Sequence, residues 1–259
     1  MKKIILILLA GILSYSPAFS WGREAHETVA RIAENNLHHS AKKKIENYLG
    51  DHSIVYYAKW MDEFRHTPEY SFTHKWHVVS VDENLKYLPS GAGGDAVYGI
   101  KQAIELLRQY KNLPDSTVAV NIKYLIHLVG DMHCPSHVKY LGRNQDYNVL
   151  FGGGYIKPVQ ELTIHRVWDE AAIQSSRIWS ISEWANELDR KSAKEIKTIV
   201  AGSPEEWLAD NASRCIIQFD MSAPGGNIAQ DFVNEALPLI ETQILYAGYR
   251  LAAVLNGIF

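Results

Sequence analysis

The apolar and polar positions of this chain recur mostly at helical spacing. Val29, Ile32 and Ala33 predict a helix over 22–37. A short amphipathic helix follows over 41–49, and Gly50 sits where a left-handed residue would end it. Residues 54–64 also read as helical. Ile100, Ala103, Ile104 and Leu107 share one face of a helix over 96–110. Residues 116–132 form a long, apolar stretch that predicts a core helix. Further helices are expected over 161–179, 181–200 and 204–219. A final long helix runs over 227–255, with Pro238 as a possible kink. Extended structure is predicted only for 76–81 and for the β-prone middle, 147–150, of a Gly- and Asn-rich loop over 142–157. Ala92-Gly93-Gly94 reads as a loop. No internal repeat or linker interrupts the pattern. The expectation is a single-domain, mainly α fold with a small β-hairpin or extended segments.

The first twenty residues follow a different rule. Lys2 and Lys3 precede an apolar run from Ile4 to Leu13, Pro17 breaks it, and Ala18-Phe19-Ser20 supplies small residues for cleavage. The run is shorter than the ~20 apolar residues that span a bilayer. A signal peptide over 1–20, cleaved after Ser20, is therefore expected, with a periplasmic or secreted product. The remaining 239 residues, 21–259, would then carry a formal charge of −5, since the segment removes two lysines from a chain of net charge −3. Duplex nucleic acid recruits Lys and Arg, so this balance argues against broad duplex binding. It leaves room for a phosphate site whose positive charge comes from metal. Cys134 and Cys215 are the only cysteines. They form one disulfide, or else one thiol lies near a metal site and the other is buried.

The chemistry begins with His127 and Asp131. They stand four residues apart in an otherwise apolar helix, which places both on one face. Burying them without a partner would be costly, and a metal would satisfy both. Pro135 ends that helix, so His137 can turn back toward it. A second pair of the same spacing is His165 and Asp169. Cleavage before Trp21 would add a free amine five residues from His26. Zinc takes His nitrogen and Asp oxygen, and catalytic sites keep a position open for water. Spacing alone leaves the simpler reading standing, in which such pairs are helix-surface hydrogen bonds. His38, His39, His52, His66 and His74 read as surface residues. His133 adjoins the cluster without a spacing argument.

Motifs along the whole mature chain narrow the choice. They are Trp21-Gly22 with His26, Trp60-Met61-Asp62 with Arg65, and Trp76-His77. Then come His127-Leu-Val-Gly-Asp131-Met-His-Cys-Pro135-Ser-His137, Gly142-Arg143-Asn144, His165-Arg166-Val167-Trp168-Asp169, and a closing Ala247-Gly-Tyr-Arg-Leu-Ala-Ala253. In this order they make the chain resemble the zinc-dependent single-strand-specific nuclease and 3′-nucleotidase family, whose fold the bacterial zinc phospholipases C share. The resemblance implies three Zn²⁺ per chain. Asp62, His77, His127 and Asp131 would hold the first. The Trp21 amine and carbonyl, His26 and a bridging Asp131 would hold the second. His137, His165 and Asp169 would hold the third. Asp131 and Arg65 take catalytic roles in this assignment, Arg65 on the phosphate charge, and a metal-activated hydroxide attacks phosphorus. Val78, Ser80 and Asn144 fall at substrate-binding positions.

The resemblance also implies an enzyme that cuts single-stranded RNA and DNA to 5′-mononucleotides, with possible 3′-nucleotidase activity. It would work as a monomer without stable membrane association. Three departures bear on specificity. The usual double glycine reads Gly142-Arg143 here, so Arg143 is either a contact to substrate phosphate or a solvated loop residue. Many members carry Phe and Asp where this chain has Val78 and Ser80, and Gln and Leu where it has Cys134 and Ser136. A phospholipase C on the same scaffold, and a non-catalytic secreted zinc-binding protein, are the alternatives.

Overall fold

The computed structural model describes residues 21–153 and 156–259. The predicted signal peptide, 1–20, lies outside the described residues. From Trp21 onward the chain is mainly helical. Helix α1 (Arg23–Asn35) leads into α2 (His39–Tyr48), and Gly50 takes the left-handed conformation (φ 67°) that closes α2. A 3₁₀ turn (Ile54–Tyr57) precedes the short α3 (Trp60–Phe64). The helix expected over 54–64 is thus broken at Ala58 and Lys59. The break has a use, because it leaves the Ala58 carbonyl to accept a hydrogen bond from His127 Nδ1 at 2.9 Å.

A second 3₁₀ stretch (Ser71–His77) runs into strand β1 (Val79–Val81). The sequence predicts extended structure from residue 76, but Trp76 and His77 close the 3₁₀ segment instead. The Trp76 indole donates to Gly93 O at 2.8 Å, which holds that turn against the Ala92–Gly94 loop. β1 pairs antiparallel with β2 (Tyr87–Leu88). Helix α4 (Ala96–Leu107) follows, capped by Asp95, whose carboxylate accepts from Tyr98 N at 3.0 Å. The central helix α5 (Asp115–Asp131) comes next, then a 3₁₀ turn (Pro135–His137) and β3 (Val138–Tyr140). β3 lies parallel to β1, with Ser80 opposite Lys139, so the first sheet has the order β2-β1-β3.

The second sheet forms from β4 (Asn148–Gly153) and β5 (Ile156–Thr163), an antiparallel pair. The helical period places the start of a helix at 161–163. These residues extend β5 instead, because Leu162 pairs with Val149 and is buried. Thr163 then caps the turn that follows, accepting from Arg166 N at 3.1 Å. That turn is α6 (Ile164–Arg166), continued by a π-helical segment (Val167–Ala171) and α7 (Ala172–Gln174). The helix ends at Gln174, short of Trp179.

The stretch 181–200 divides into α8 (Ile181–Leu188) and α9 (Ala193–Ile199). Ser192 and Glu195 form a capping box that starts α9 afresh, as Ser180–Glu183 does for α8. The 204–219 stretch is likewise α10 (Pro204–Cys215), opened by a Ser203–Glu206 box, and α11 (Gln218–Met221). Asn227–Ile228, expected to open the last helix, is strand β6, parallel to β4. α12 (Gln230–Ile258) begins after it and continues through Pro238.

α12 packs along α1 and α5, and α4 packs along α5. The core therefore surrounds α5, whose residues from Tyr124 to Asp131 are all buried. Gly248 is the point of closest approach between α12 and α1. A Cβ there would lie 2.6 Å from Ile32 Cγ2 and 2.7 Å from Ile32 Cβ. Gly248→Ala should therefore destabilise the protein by about 1–2 kcal/mol, overpacking outweighing the gain in helix propensity. Gly257→Ala, which meets nothing within 4 Å, should be neutral or stabilising. Urea unfolding midpoints check both; equal midpoints for the two variants would contradict this packing.

Candidate metal centre

Asp131, the last residue of α5, is fully buried, and four imidazoles converge on its carboxylate. His26 Nε2 lies 3.2 Å and His137 Nδ1 3.1 Å from Oδ1. His77 Nδ1 lies 2.8 Å and His127 Nε2 3.1 Å from Oδ2. They arrive from α1, from the 3₁₀ turn after α5, from the 3₁₀ stretch before β1 and from α5 itself. The i, i+4 spacing of His127 and Asp131 accounts for one of these contacts, and the fold supplies the other three.

Asp62 stands beside this cluster. Its Oδ1 is 3.5 Å from His127 Nε2, 3.6 Å from His77 Nδ1 and 3.7 Å from Arg65 Nη1. Lys59 contacts its other oxygen and also donates to Trp21 O at 3.3 Å. Sequence reasoning misses Lys59. Its offset of three from Asp62 is the available signal.

Trp21 itself is fully buried. Gly22 N donates to the Asp169 backbone carbonyl at 2.8 Å, so the segment beginning at Trp21 is tied to the residue that carries the third carboxylate of the site. Asp169 sits in the π-helical segment, with Oδ1 3.1 Å from His137 Nε2. The His165 ring stacks on His137, centroids 5.0 Å apart. All nine proposed metal-binding positions, Trp21, His26, Asp62, His77, His127, Asp131, His137, His165 and Asp169, thus fall in one connected region.

Cys134 and Cys215 are both free thiols and both buried. Of the two arrangements left open by the sequence, the structure has the second. Cys134 Sγ donates to Asp169 Oδ1 at 3.6 Å, while Cys215 accepts from Gln243 Nε2 at 3.3 Å, away from the cluster. His133 also turns away. Its Nδ1 donates to Val129 O at 2.7 Å and its Nε2 accepts from Arg250 Nη1 at 2.8 Å, which uses both ring nitrogens in tying the turn after α5 to α5 and to α12. His38, His39, His52, His66 and His74 are exposed, as expected.

Burial disfavours charge on every imidazole of the cluster. His26 yields, pushed down to about 3 by burial and the neighbouring His127, and burial takes His77 to about 4. His165 is pushed down as well. In His127 and His137 burial is outweighed by the carboxylates. Asp131 and Asp62 hold His127 up at about 10, and Asp131 and Asp169 hold His137 up at about 9. Asp131, though buried, is held well below the usual carboxylate range by His127 and His137. Without metal, protons supply the positive charge that these carboxylates require.

The donor set suits a metal in their place. Three groups could each hold an ion: His26, Asp62 and His127; His77, His127 and Asp131; and Cys134, His137 and Asp169. Within each group the donor atoms lie within 4.8 Å of one another. His77 Nε2 and Asp62 Oδ1 are buried without a hydrogen-bond partner among the described residues. The Ala58 carbonyl takes the Nδ1 proton of His127, which aims Nε2 at the carboxylates, an orientation that suits a metal ligand.

The cluster opens on one side to a cleft of about 1200 Å³. Arg65, His77 and His165 lie on its wall with Val78, Lys139, Asn148 and Thr163. Arg65 is almost fully buried, so its charge faces the cleft from a fixed position. Ser80 lies in β1 and is not among the residues lining this cleft. Asn144 is exposed in the following loop, where its Oδ1 accepts from Asp146 N at 3.0 Å. Arg143 lies over the Phe219 ring at 5.2 Å.

A sequence model of the S1/P1 Nuclease family matches residues 21–259, from Trp21 to the last residue. The chain belongs to the S1/P1 nuclease family. Nuclease S1 of Aspergillus oryzae is 26% identical over 298 aligned positions, which cover 99% of this chain and 98% of that protein. Endonuclease 4 of Arabidopsis thaliana is 25% identical, covering 93% of this chain and 90% of the relative. Nuclease P1 of Penicillium citrinum is 25% identical, covering 92% and 97%. The family makes the chain an enzyme, a hydrolase of phosphodiester bonds, and its substrate a nucleic acid. Among the described residues no helix is long and apolar enough to cross a membrane.

Two outcomes test the centre. A metal ligand must be neutral imidazole or carboxylate, so the protons on His127 and His137 have to leave when metal binds. Both pKa values lie above 7, so loading stripped protein at pH 7 should release protons. Titration calorimetry in buffers of different ionisation enthalpy reads this, and a buffer-independent heat would contradict it. Gly130→Ala would place a Cβ 2.8 Å from His26 Nδ1. That variant should bind metal about tenfold more weakly or worse, through displacement of His26, while keeping its helical circular dichroism. Unchanged metal content after dialysis would contradict it.

Proposed function

We propose that this enzyme is an exported, zinc-dependent nuclease that hydrolyses single-stranded RNA and DNA to 5′-mononucleotides and removes 3′-phosphates from nucleotides. The buried Asp131 with its four imidazoles supports this most directly, because such a carboxylate is stable only beside concentrated positive charge. Asp62, His77, His127 and Asp131 would hold one zinc. His26, Asp131 and the Trp21 amine and carbonyl would hold a second, and His137, His165 and Asp169 a third. Bound zinc would supply Lewis acidity and an activated water near neutral pH.

The chain's own residues do the rest. Arg65, fixed beside Asp62 and facing the cleft, would stabilise negative charge growing on the scissile phosphate. Val78 and Asn148 shape the wall, and Val78 offers an apolar surface without a stacking ring. A single strand can thread a cleft of this size, whereas a duplex is too stiff and wide to bring its backbone to the floor. Export follows from the segment before Trp21. Trp21 N is a peptide nitrogen in the full chain, and cleavage after Ser20 would turn it into an amine. The family match beginning at Trp21 supports that boundary.

The test compares acid-soluble nucleotide release from single-stranded DNA with phosphocholine release from lecithin, for the processed chain and for Asp131→Asn. The processed chain should release nucleotides only. The variant should lose activity by at least about 10³-fold and retain less zinc, since one carboxylate serves several donors. Lipid cleavage without nucleotide release, or full activity in Asp131→Asn, would overturn the reading.

A further inference from the structure

The cleft carries a half-buried cation that the proposed chemistry does not use. Lys139 is the middle residue of β3, between Val138 and Tyr140, whose side chains are buried in the core. Strand alternation turns Lys139 to the opposite side, and there it lines the cleft. Its backbone is held on both flanks by one side chain. Gln145 Nε2 donates to Val138 O at 2.9 Å, and Gln145 Oε1 accepts from Tyr140 N at 3.2 Å. Pairing of Lys139 with Ser80 across β1 and β3 fixes the strand further.

The side chain is half-buried, yet no carboxylate lies within 4 Å of its ammonium among the described residues. Asp146, also on the cleft wall, is the nearest acidic neighbour in sequence and is exposed. Arg65 and Lys139 both act electrostatically on His165, which stands with them on the wall. Of the three cations on the wall, Lys75 is exposed, whereas Arg65 and Lys139 are the two that act on the His165 imidazole. The Arg65 side chain is almost fully buried and the Lys139 backbone is pinned within β3, so both charges are available to an anion that enters the cleft.

We propose that Lys139 binds a second phosphate, the one next to the scissile phosphate in a polynucleotide. This rests on the nuclease reading, in which Arg65 and the metal centre serve the scissile group. One phosphate needs one such centre, and a lysine on the wall of the same cleft, carried by a different element from Arg65, is placed for the next anion along a backbone. The cleft then favours oligonucleotides over nucleotides that carry a single phosphate, and Lys139 sets that preference.

The test uses three dithymidylates: one unmodified, one with an added 5′-phosphate and one with an added 3′-phosphate. Initial-rate chromatography counts only cleavage of the central diester, since the proposed 3′-nucleotidase activity would also remove the 3′-phosphate. The wild-type processed chain should cleave one of the two phosphorylated forms with a kcat/KM about tenfold above the unmodified form, mostly through KM. Lys139→Met should bring that ratio close to one, and Lys139→Arg should keep most of it. Each ratio is measured on a single protein sample, so partial loss of folding cancels. A wild-type ratio near one, or a ratio that survives in Lys139→Met, overturns the assignment. The failure of the nuclease reading looks different, since all three dinucleotides would then remain uncut by the wild-type chain.

Discussion

A carboxylate buried at the end of a core helix is the constraint on which this structure depends. Asp131 has no access to water, and an uncompensated charge there would cost several kcal/mol. The fold answers by bringing four imidazoles within 3.2 Å of it from four separate segments. Much of the local architecture follows from that demand. The break at Ala58 frees a carbonyl to orient His127, and the 3₁₀ turn after Pro135 returns His137 to the helix end. Gly130 leaves room for His26, and Gly22 ties the start of α1 to Asp169.

The same constraint reconciles an acidic protein with an anionic substrate. Formal net charge is negative, but the cleft is walled by Arg65, Lys75 and Lys139, and the floor is a cluster whose carboxylates call for cations. The wall cations stand where a phosphate would lie, and bound metal would add positive charge at the floor. A low-dielectric wall strengthens their field there.

Much of this is legible in the sequence. The helices around α5 follow from the 3.6-residue period, and the His127/Asp131 and His165/Asp169 pairs are visible as spacings. Convergence is not legible from spacing, since His26, His77 and His137 reach Asp131 through tertiary packing and only the family resemblance places them together. Boundaries shift where a local device overrides the period. The Ser192–Glu195 box, which splits 181–200, is a readable start signal that the apolar period masks. Residues 161–163 and 227–228 enter strands because cross-strand pairing decides them, and period alone does not report a partner. Lys59 and Lys139 escape sequence reasoning because a lone lysine carries no pattern. Only its place beside Asp62, or on the cleft wall, gives it meaning.

The proposed function requires that metal replace protons in the buried cluster and that an N-terminus freed at Trp21 take part. Anomalous diffraction at the zinc edge, from crystals of chain beginning at Trp21 and grown with zinc, reads it directly. Three peaks are predicted: two close together between Asp62, Asp131 and the Trp21 amine, and one beside His137, His165 and Asp169. Density without anomalous signal at Asp131, or peaks confined to exposed histidines such as His38 and His52, would contradict it.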